Sequence, residues 1–508
     1  MYLLLSVIIP AIAIPIAYVL SKRYSERAGG MVCTIVGLID LILVTTAYLQ
    51  GAPLYIEEYK WLPKLSSHAT EISFKLFIDG VSLLAAIATL ILVIAASLYS
   101  IDYIEHDISA YYMFLLLLTL GMLGVFISSN LIAFYMFLEF MLVPSYFIIG
   151  GWGLPGARRA AFKFFIYTHV GALFALVGIA LTYLNLGTLD ILSMPQMIMT
   201  STTWSRVWLT VFILYVIGFL VKAGAFPVHS WLPDAHSIAP TPMSSLLSGI
   251  IAASGVYALF RIPYMSILLP TFGAGINVNK VLVAMSVLGL MSVYYGGYLA
   301  LRERDVKRIP AYSTISHNGY MITGLSLGLA AIINNGIEKF IFIGILGAVL
   351  HILSHALAKG LFFMVAGTIL EETGERDITR TKMLLRLMPW TGAFGFFALF
   401  GIAGAPPFAT FISELLMIVG SIYSGLKYAK LFTLLLALGT ALSAAYALRF
   451  WWFTFWKGED KEKVHDVRER AKVGMVILAI MLVIVGSIPF PFLEQVRRSL
   501  MTVLSSLK

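Results

Sequence analysis

The chain has 508 residues, 60% of them hydrophobic and 12% charged, with a mean hydropathy of +0.91, which excludes a soluble globular protein and makes lipid the main solvent. The formal charge of +9 comes from basic residues in short loops with no aromatic-interleaved patch, so membrane orientation explains it and nucleic acid does not. A single cysteine, Cys33, leaves neither a disulfide framework nor a paired-cysteine metal motif.

Apolar runs of roughly 18 to 25 residues recur from end to end, each long enough as a helix to cross a hydrocarbon core of about 30 Å. The expected spans are 2–20, 31–50, 79–100, 110–128, 130–150, 160–184, 207–226 with a broken continuation to 236, 242–262, 281–301, 309–329, 341–370, 390–421, 428–456 and 472–490. Runs such as 82–98 are apolar on all sides, which rules out the alternating pattern of a barrel. The fold class is therefore an all-α integral membrane protein of about fourteen transmembrane helices in one membrane domain. The stretches 51–78, 185–206 and 457–471 read as loops. The first span has no basic n-region before it and no cleavage site after it, and reads as a retained helix.

Loops after odd-numbered spans carry most of the Lys and Arg, including Arg158, Arg159, Arg302, Arg304, Lys307, Arg308, Arg376 and Arg380. Those after even-numbered spans hold few, among them Lys60, Arg206, Arg261 and Lys280. The odd side is then cytoplasmic and both termini lie on the outer face.

Residues 223–231 read AGAFPVHSW and residues 403–411 read AGAPPFATF. They fall in the seventh and twelfth spans, five apart, so the chain runs in opposite directions at the two copies, as in an inverted-topology repeat. Gly and Pro inside an apolar span break the helix and free backbone groups that only a protein-lined or watered cavity can satisfy.

Four ionisable residues lie inside spans, where each costs a few kcal/mol on insertion scales. Glu139 is in the fifth span, Lys222 in the seventh at its break, Lys359 in the eleventh and Glu414 in the twelfth. Glu139 and Lys222 admit two readings, a switchable ion pair that alters the lysine's proton affinity or a permanent salt bridge. His351, His355 and Lys359 are spaced four and four, which sets them along one helix face as a ladder. Two imidazoles leading to a lysine can hand on protons; satisfied core histidines are the plainer reading, and no third ligand completes a zinc motif. His317 in the tenth span can bridge the ladder to the seventh. Glu414 beside its break suits proton release. Asp234 reads as a helix-breaking or capping residue, and His229 and His236 flank it at an entrance. Asp79 reads as an N-cap of the third span, and Arg449 as a side chain reaching toward the basic loop at 457. No catalytic, cofactor or metal site is expected in this chain.

The segments DGVSLL at 79–84, the Glu139 helix, KAGAFPVHSWLPDAHSIAPTPMS at 222–244, DVKRIPAYSTISHNGY at 305–320 and the stretch around Lys359 resemble the antiporter-like subunits of respiratory complex I and their relatives in membrane-bound hydrogenases and Mrp-type antiporters. The chain 4, or M-type, subunit is the most similar in pattern. The resemblance implies three N-terminal helices (1–109), two inverted five-helix repeats (110–262 and 281–456) with broken helices 7 and 12, and a C-terminal helix and tail (472–508). It also implies a proton path through Glu139, Lys222, Lys359 and Glu414. M-type members generally carry a lysine in the eighth helix, where this chain has Ala253 or Ser254. The histidine ladder looks L-type while Glu414 is M-type, a mixture that suggests a hydrogenase-like or other divergent complex.

The resemblance thus implies a proton-translocating subunit of a redox-driven pump in the plasma or inner membrane. Iron–sulfur clusters, and nickel-iron or flavin, would sit in partner subunits. Its partners would be related antiporter-like subunits, small hydrophobic subunits and peripheral redox subunits. The alternatives are a subunit of a Mrp-type Na+/H+ antiporter and a non-transporting scaffold.

Overall fold

The computed structural model describes residues 1–62, 72–201, 205–271, 277–336, 342–381, 383–457 and 464–505. The chain is a multi-pass helical membrane protein. Among the described residues twelve helices are long and apolar enough to cross a membrane. In lipid each backbone N–H and C=O must be satisfied within its own segment, and an unbroken helix does this.

In chain order the elements are α1 (Tyr2–Arg23), α2 (Ala28–Gly51), a hairpin of β1 (Leu54–Leu62) and β2 (Ile72–Asp79), α3 (Gly80–Tyr103), α4 (Ile108–Ile127), α5 (Leu131–Trp152) and α6 (Ala157–Leu186). After the short α7 (Met194–Thr200) come α8 (Ser205–Ala223) and α9 (Trp231–Ile238), the two halves of the broken seventh span. The eighth is α10 (Thr241–Leu246) and α11 (Ala252–Leu259), each continued by a π-helical turn, Leu247–Ile251 and Phe260–Leu268. Then follow α12 (Val278–Arg302), α13 (Arg308–Asn335) and α14 (Ile343–Thr373). The one-turn α15 (Leu384–Leu387) precedes α16 (Pro389–Ile402) and α17 (Ala409–Ile422), which are the broken twelfth span. The chain ends with α18 (Ala429–Trp451), α19 (Glu469–Ser487) and α20 (Phe490–Ser505).

The stretch 51–78, expected as a loop, contains the antiparallel β1–β2 hairpin, with Leu54 opposite Asp79 and Lys60 opposite Ser73. The hairpin clamps the start of α1: the Glu57 carboxylate accepts the Leu3 and Leu4 N–H groups, each at 3.0 Å, at a helix end whose first donors have no partner within the helix.

The two helix breaks share one local geometry. Gly224 has φ +60 and Gly404 has φ +68, a left-handed backbone that favours glycine. Ala225 donates to the Leu220 carbonyl and Ala405 to that of Phe400, both at 3.1 Å, and Val228 and Phe408 donate to Ala225 and Ala405 at 2.9 and 3.0 Å. After each break a side chain returns to the last turn: Trp231 Nε1 donates to the Val221 carbonyl at 3.0 Å, and the Thr410 hydroxyl donates to that of Gly401.

The core lies where α14 and the 241–268 segment meet. Their apolar windows are fully covered by other helices, whereas α1, α6 and α18 turn most of theirs outward. Gly255, one residue past Ser254, packs directly on the backbone of Phe219 and Ala223, so the eighth span leans on the seventh at its break.

Candidate proton path

Helix α5 packs Glu139 against α6 and leaves it within electrostatic reach of Lys222. Glu139 Oε1 lies 3.5 Å from Nδ1 of His169, with the two side chains 22% and 37% exposed. Among the described residues no Glu139–Lys222 ion pair forms within 4 Å, so the permanent salt bridge is not formed and the arrangement corresponds to the open form of a switchable pair. His169 was not singled out from the sequence. Lys222 lines a cavity of about 20 Å³ with Leu142, Thr168, Gly171 and Phe219, space for about one water.

At the first break, position 227 is a proline and has no N–H to give the Ala223 carbonyl. Asn318 of α13 fills that role, donating Nδ2 at 2.6 Å, and the Phe226 N–H goes to Ser292 Oγ of α12 at 3.0 Å. The backbone beside Lys222 is thereby held by helices of the later part of the chain, and Asn318 is the neighbour of His317.

His317, His351, His355, Lys359 and Glu414 are brought together, each 3% exposed or less. His317 Nδ1 meets His351 Nε2 at 3.1 Å, and His317 Nε2 meets the Tyr446 hydroxyl at 3.0 Å. His351 Nδ1 bonds Ser413 Oγ at 2.8 Å. Glu414 Oε1 is 3.7 Å from His317 Nδ1, and its Oε2 occupies the place that a side chain at Gly404 would take. The terminal acid therefore sits against its break because residue 404 is a glycine. Lys359 Nζ donates to the Pro310 carbonyl at 3.1 Å and to the Ser313 hydroxyl, both at the N-terminal end of α13. His355 lies between, its ring 5.5 Å from His317 and 6.0 Å from His351, with neither nitrogen bonded.

The ligand atoms of His317, His351 and Glu414 lie within 4.8 Å of one another, close enough for a metal ion. All four ring nitrogens of His317 and His351 are already engaged in hydrogen bonds. Such a chain can shift protons by exchanging donor and acceptor roles, and a metal would have to break it.

The remaining candidates separate. His229 stacks on Phe226 and meets Tyr295 edge-on, with ring centroids 5.7 and 4.6 Å away. The N-cap position of α9 is Ser230, and Asp234 in its first turn forms ion pairs with Lys163 of α6 at 2.7 Å and Arg308 at 3.2 Å. His236 is not at an entrance but wholly buried, with both ring nitrogens unbonded. Asp79 is the expected N-cap, accepting from Ser82 N–H at 2.9 Å, and also pairs with Arg261 at 2.7 Å. Arg449 donates to the Glu303 carbonyl at 2.5 Å, an anchoring role. Two basic residues counted as loop charges are buried: Arg261 within a π-helical turn, and Lys307, whose ammonium bonds the Ala239 carbonyl at 2.5 Å. Asp40 in α2 was overlooked in the sequence, although one acid in an apolar span is the same signal that marked Glu139. It is fully buried and neither oxygen has a partner.

Residues 128–442 match the family described as NADH:quinone oxidoreductase/Mrp antiporter, transmembrane. The NADH-quinone oxidoreductase subunit M of Rickettsia felis is 30% identical over 479 residues, covering 93% of this chain and 90% of that one. The F(420)H(2) dehydrogenase subunit M of Methanosarcina mazei is 31% identical over 474 residues, covering 90% and 89%. Among solved structures, a chain of the archaeal membrane-bound sulfane sulfur reductase superposes with TM-score 0.79 at 26% identity, over 96% of this chain and 76% of that one. A chain of respiratory complex I from Thermus thermophilus gives TM-score 0.83 at 22% identity with 100% of both chains covered, a likeness of fold. The chain belongs to the NADH:quinone oxidoreductase/Mrp antiporter transmembrane family, whose members are subunits of multisubunit membrane complexes.

Proposed function

We propose that this chain is the proton-translocating, antiporter-like subunit of a multisubunit redox-driven ion pump, of the M type. The observation that carries the reading is the run of Lys359, His355, His351, His317 and Glu414 buried inside the helix bundle. Keeping that many titratable groups from water is costly, and hydrophobic replacements of buried charges are often neutral or stabilising. Changing proton occupancy is the role that requires them.

The path runs through Glu139 and Lys222, by way of the α8–α9 break with His229, to the His317 cluster, Lys359 and Glu414. Four N- and C-terminal helices flank two inverted five-helix repeats, each with one break. The chain lies in the cell membrane with the Lys/Arg-rich loops on the cytoplasmic side and both termini outside. Its partners are related antiporter-like subunits, small hydrophobic subunits, and peripheral subunits that hold iron–sulfur clusters and either nickel-iron or flavin. The electron transfer belongs to those partners.

The test is proton movement by the purified complex in vesicles. Lys222→Ala, Lys359→Ala and Glu414→Gln are each expected to stop transport with the complex still assembled. Near-normal pumping by these variants removes the path. A subunit of a Na+/H+ antiporter is the second reading, supported by the family description, which covers both systems. Sodium-dependent exchange without an electron donor favours it.

A further inference from the structure

Helix α14 continues its four-residue spacing beyond Lys359. Residues 363, 367 and 371 are Phe, Gly and Glu, so one winding face carries His351, His355, Lys359, Phe363, Gly367 and Glu371. At its far end a cavity of about 300 Å³ opens to solvent, room for several waters. It is lined by Tyr103, Glu105, His106, Trp152, Gly367 and Glu371, on the face of the molecule that holds the 104–107 loop. Gly367 leaves no side chain there, and Thr241 fills the space. One turn further in, the Phe363 ring packs 5.5 Å from the ring of His236. His236 is fully buried with two unbonded nitrogens, as is His355 two turns beyond Phe363. A buried imidazole without partners is costly unless water or a proton visits it.

We propose that this cavity is the proton inlet of the second half of the chain, with Glu371 as the collecting group and His236 as the step between it and Lys359. The Glu371 carboxylate takes a proton from cavity water. It passes the proton by way of water beside the Phe363 ring to a ring nitrogen of His236. His236 gives it to the neutral Lys359 amine, from which it continues to His355 and the His351–His317 relay. Each transfer moves one proton and leaves its donor ready for the next. This route supplies the second half directly and needs no lysine in the eighth span, where among the described residues Ser254 bonds the Ile251 carbonyl and the Met141 sulfur. Arg468 stands 3.5 Å from Glu371, and Asp102 and Glu372 line the adjoining recess, so the mouth holds charges of both signs. The proposal rests on Lys359 being a proton carrier.

The test uses the assembled complex in sealed vesicles, with proton movement read from a pH-sensitive dye while the complex turns over its own electron donor. Leu370 lines the cavity and is changed to cysteine. The finished complex is then treated from the Lys/Arg-rich side with a membrane-impermeant methanethiosulfonate. The parent complex, in which Cys33 is buried, and the unlabelled variant are the controls. Labelled Leu370→Cys is expected to lose transport by about tenfold or more, as is Glu371→Gln, with Glu371→Asp recovering most of the rate. Because labelling follows assembly, a loss there is not a folding defect. Parent-rate transport by both labelled Leu370→Cys and Glu371→Gln, with Lys359→Ala inactive, overturns the inlet. Parent-rate transport by Lys359→Ala overturns the function on which it rests.

Discussion

The Asp79–Arg261 pair offers a measurable test of how the first half of the molecule is held together. Arg261 Nη2 meets Asp79 Oδ1 at 2.7 Å and Ser82 Oγ at 3.3 Å, and its guanidinium lies 5.2 Å from the Phe77 ring centre. The side chains are 6% and 3% exposed, too buried for water to replace a lost partner. Asp79→Asn retains an N-cap for α3 but strips the anion from the buried guanidinium, and removal of one partner of such a pair costs about 3–5 kcal/mol. Arg261→Met leaves a carboxylate that still has the Ser82 N–H and the start of a helix, so its cost is smaller, about 2 kcal/mol. The double variant has no stranded charge and is expected to be more stable than Asp79→Asn alone by about 2 kcal/mol or more. Denaturation of the purified protein, followed by tryptophan fluorescence, measures all four corners of the cycle. If the two losses simply add in the double variant, the pair has no coupling energy and the reasoning is refuted.

Three other perturbations report on separate parts of the chain. Tyr446→Phe removes the hydroxyl bonded to His317 and leaves the ring in place; assembly is expected to be normal and proton transport about tenfold slower, whereas an unchanged rate takes Tyr446 out of the relay. Burial raises the Glu57 carboxyl, but the Met1 ammonium, the Leu4 and Leu3 N–H groups and the Tyr59 hydroxyl outweigh it and hold it below the ordinary value of 4.5. Its contribution to stability is therefore complete above that value and lost as pH falls through the lower folded one, so the amide-exchange protection factors at the start of α1 should fall on acidification, and Glu57→Gln should flatten that response. Asp40 has no partner for either oxygen, so Asp40→Leu is expected to leave the denaturation midpoint unchanged or raise stability by about 1–3 kcal/mol; a fall would reveal a partner that the acid depends on.

The spans were legible because lipid demands long apolar helices, and the breaks because Gly224, Pro227, Gly404 and Pro407 contradict helix where hydropathy asks for it. The ladder was legible because four-residue spacing is a property of one helix. What stayed hidden depends on partners distant in sequence. Arg261 reads as a loop charge near the end of a span, and only Asp79, 182 residues earlier, explains its burial. Lys307 reads the same way until the Ala239 carbonyl is placed over it. Glu139 faces Lys222 within electrostatic reach, but its contact with His169 at 3.5 Å is set only by the packing of α5 on α6. Asp234 and Lys163, 71 residues apart, meet only once α6 and α9 are packed. The hairpin carried a strand signal in LYIEEYKWL and ISFKLFID, but its pairing is set by register between two segments and is weakly visible in either alone.

Helix α14 runs unbroken for 31 residues, and a four-residue step on such a helix overshoots a full turn by about 40°. Over the five steps from His351 to Glu371 the marked face rotates by about 200°, so its two ends look toward opposite sides of the rod. The row of side chains is a screw thread: it begins against α13 and α17 and finishes against α3 and α5, crossing the molecule while climbing it. A one-residue deletion between Lys359 and Gly367 would turn the upper thread by about 100° relative to the lower, sending Glu371 out of register while every residue type along the path survived.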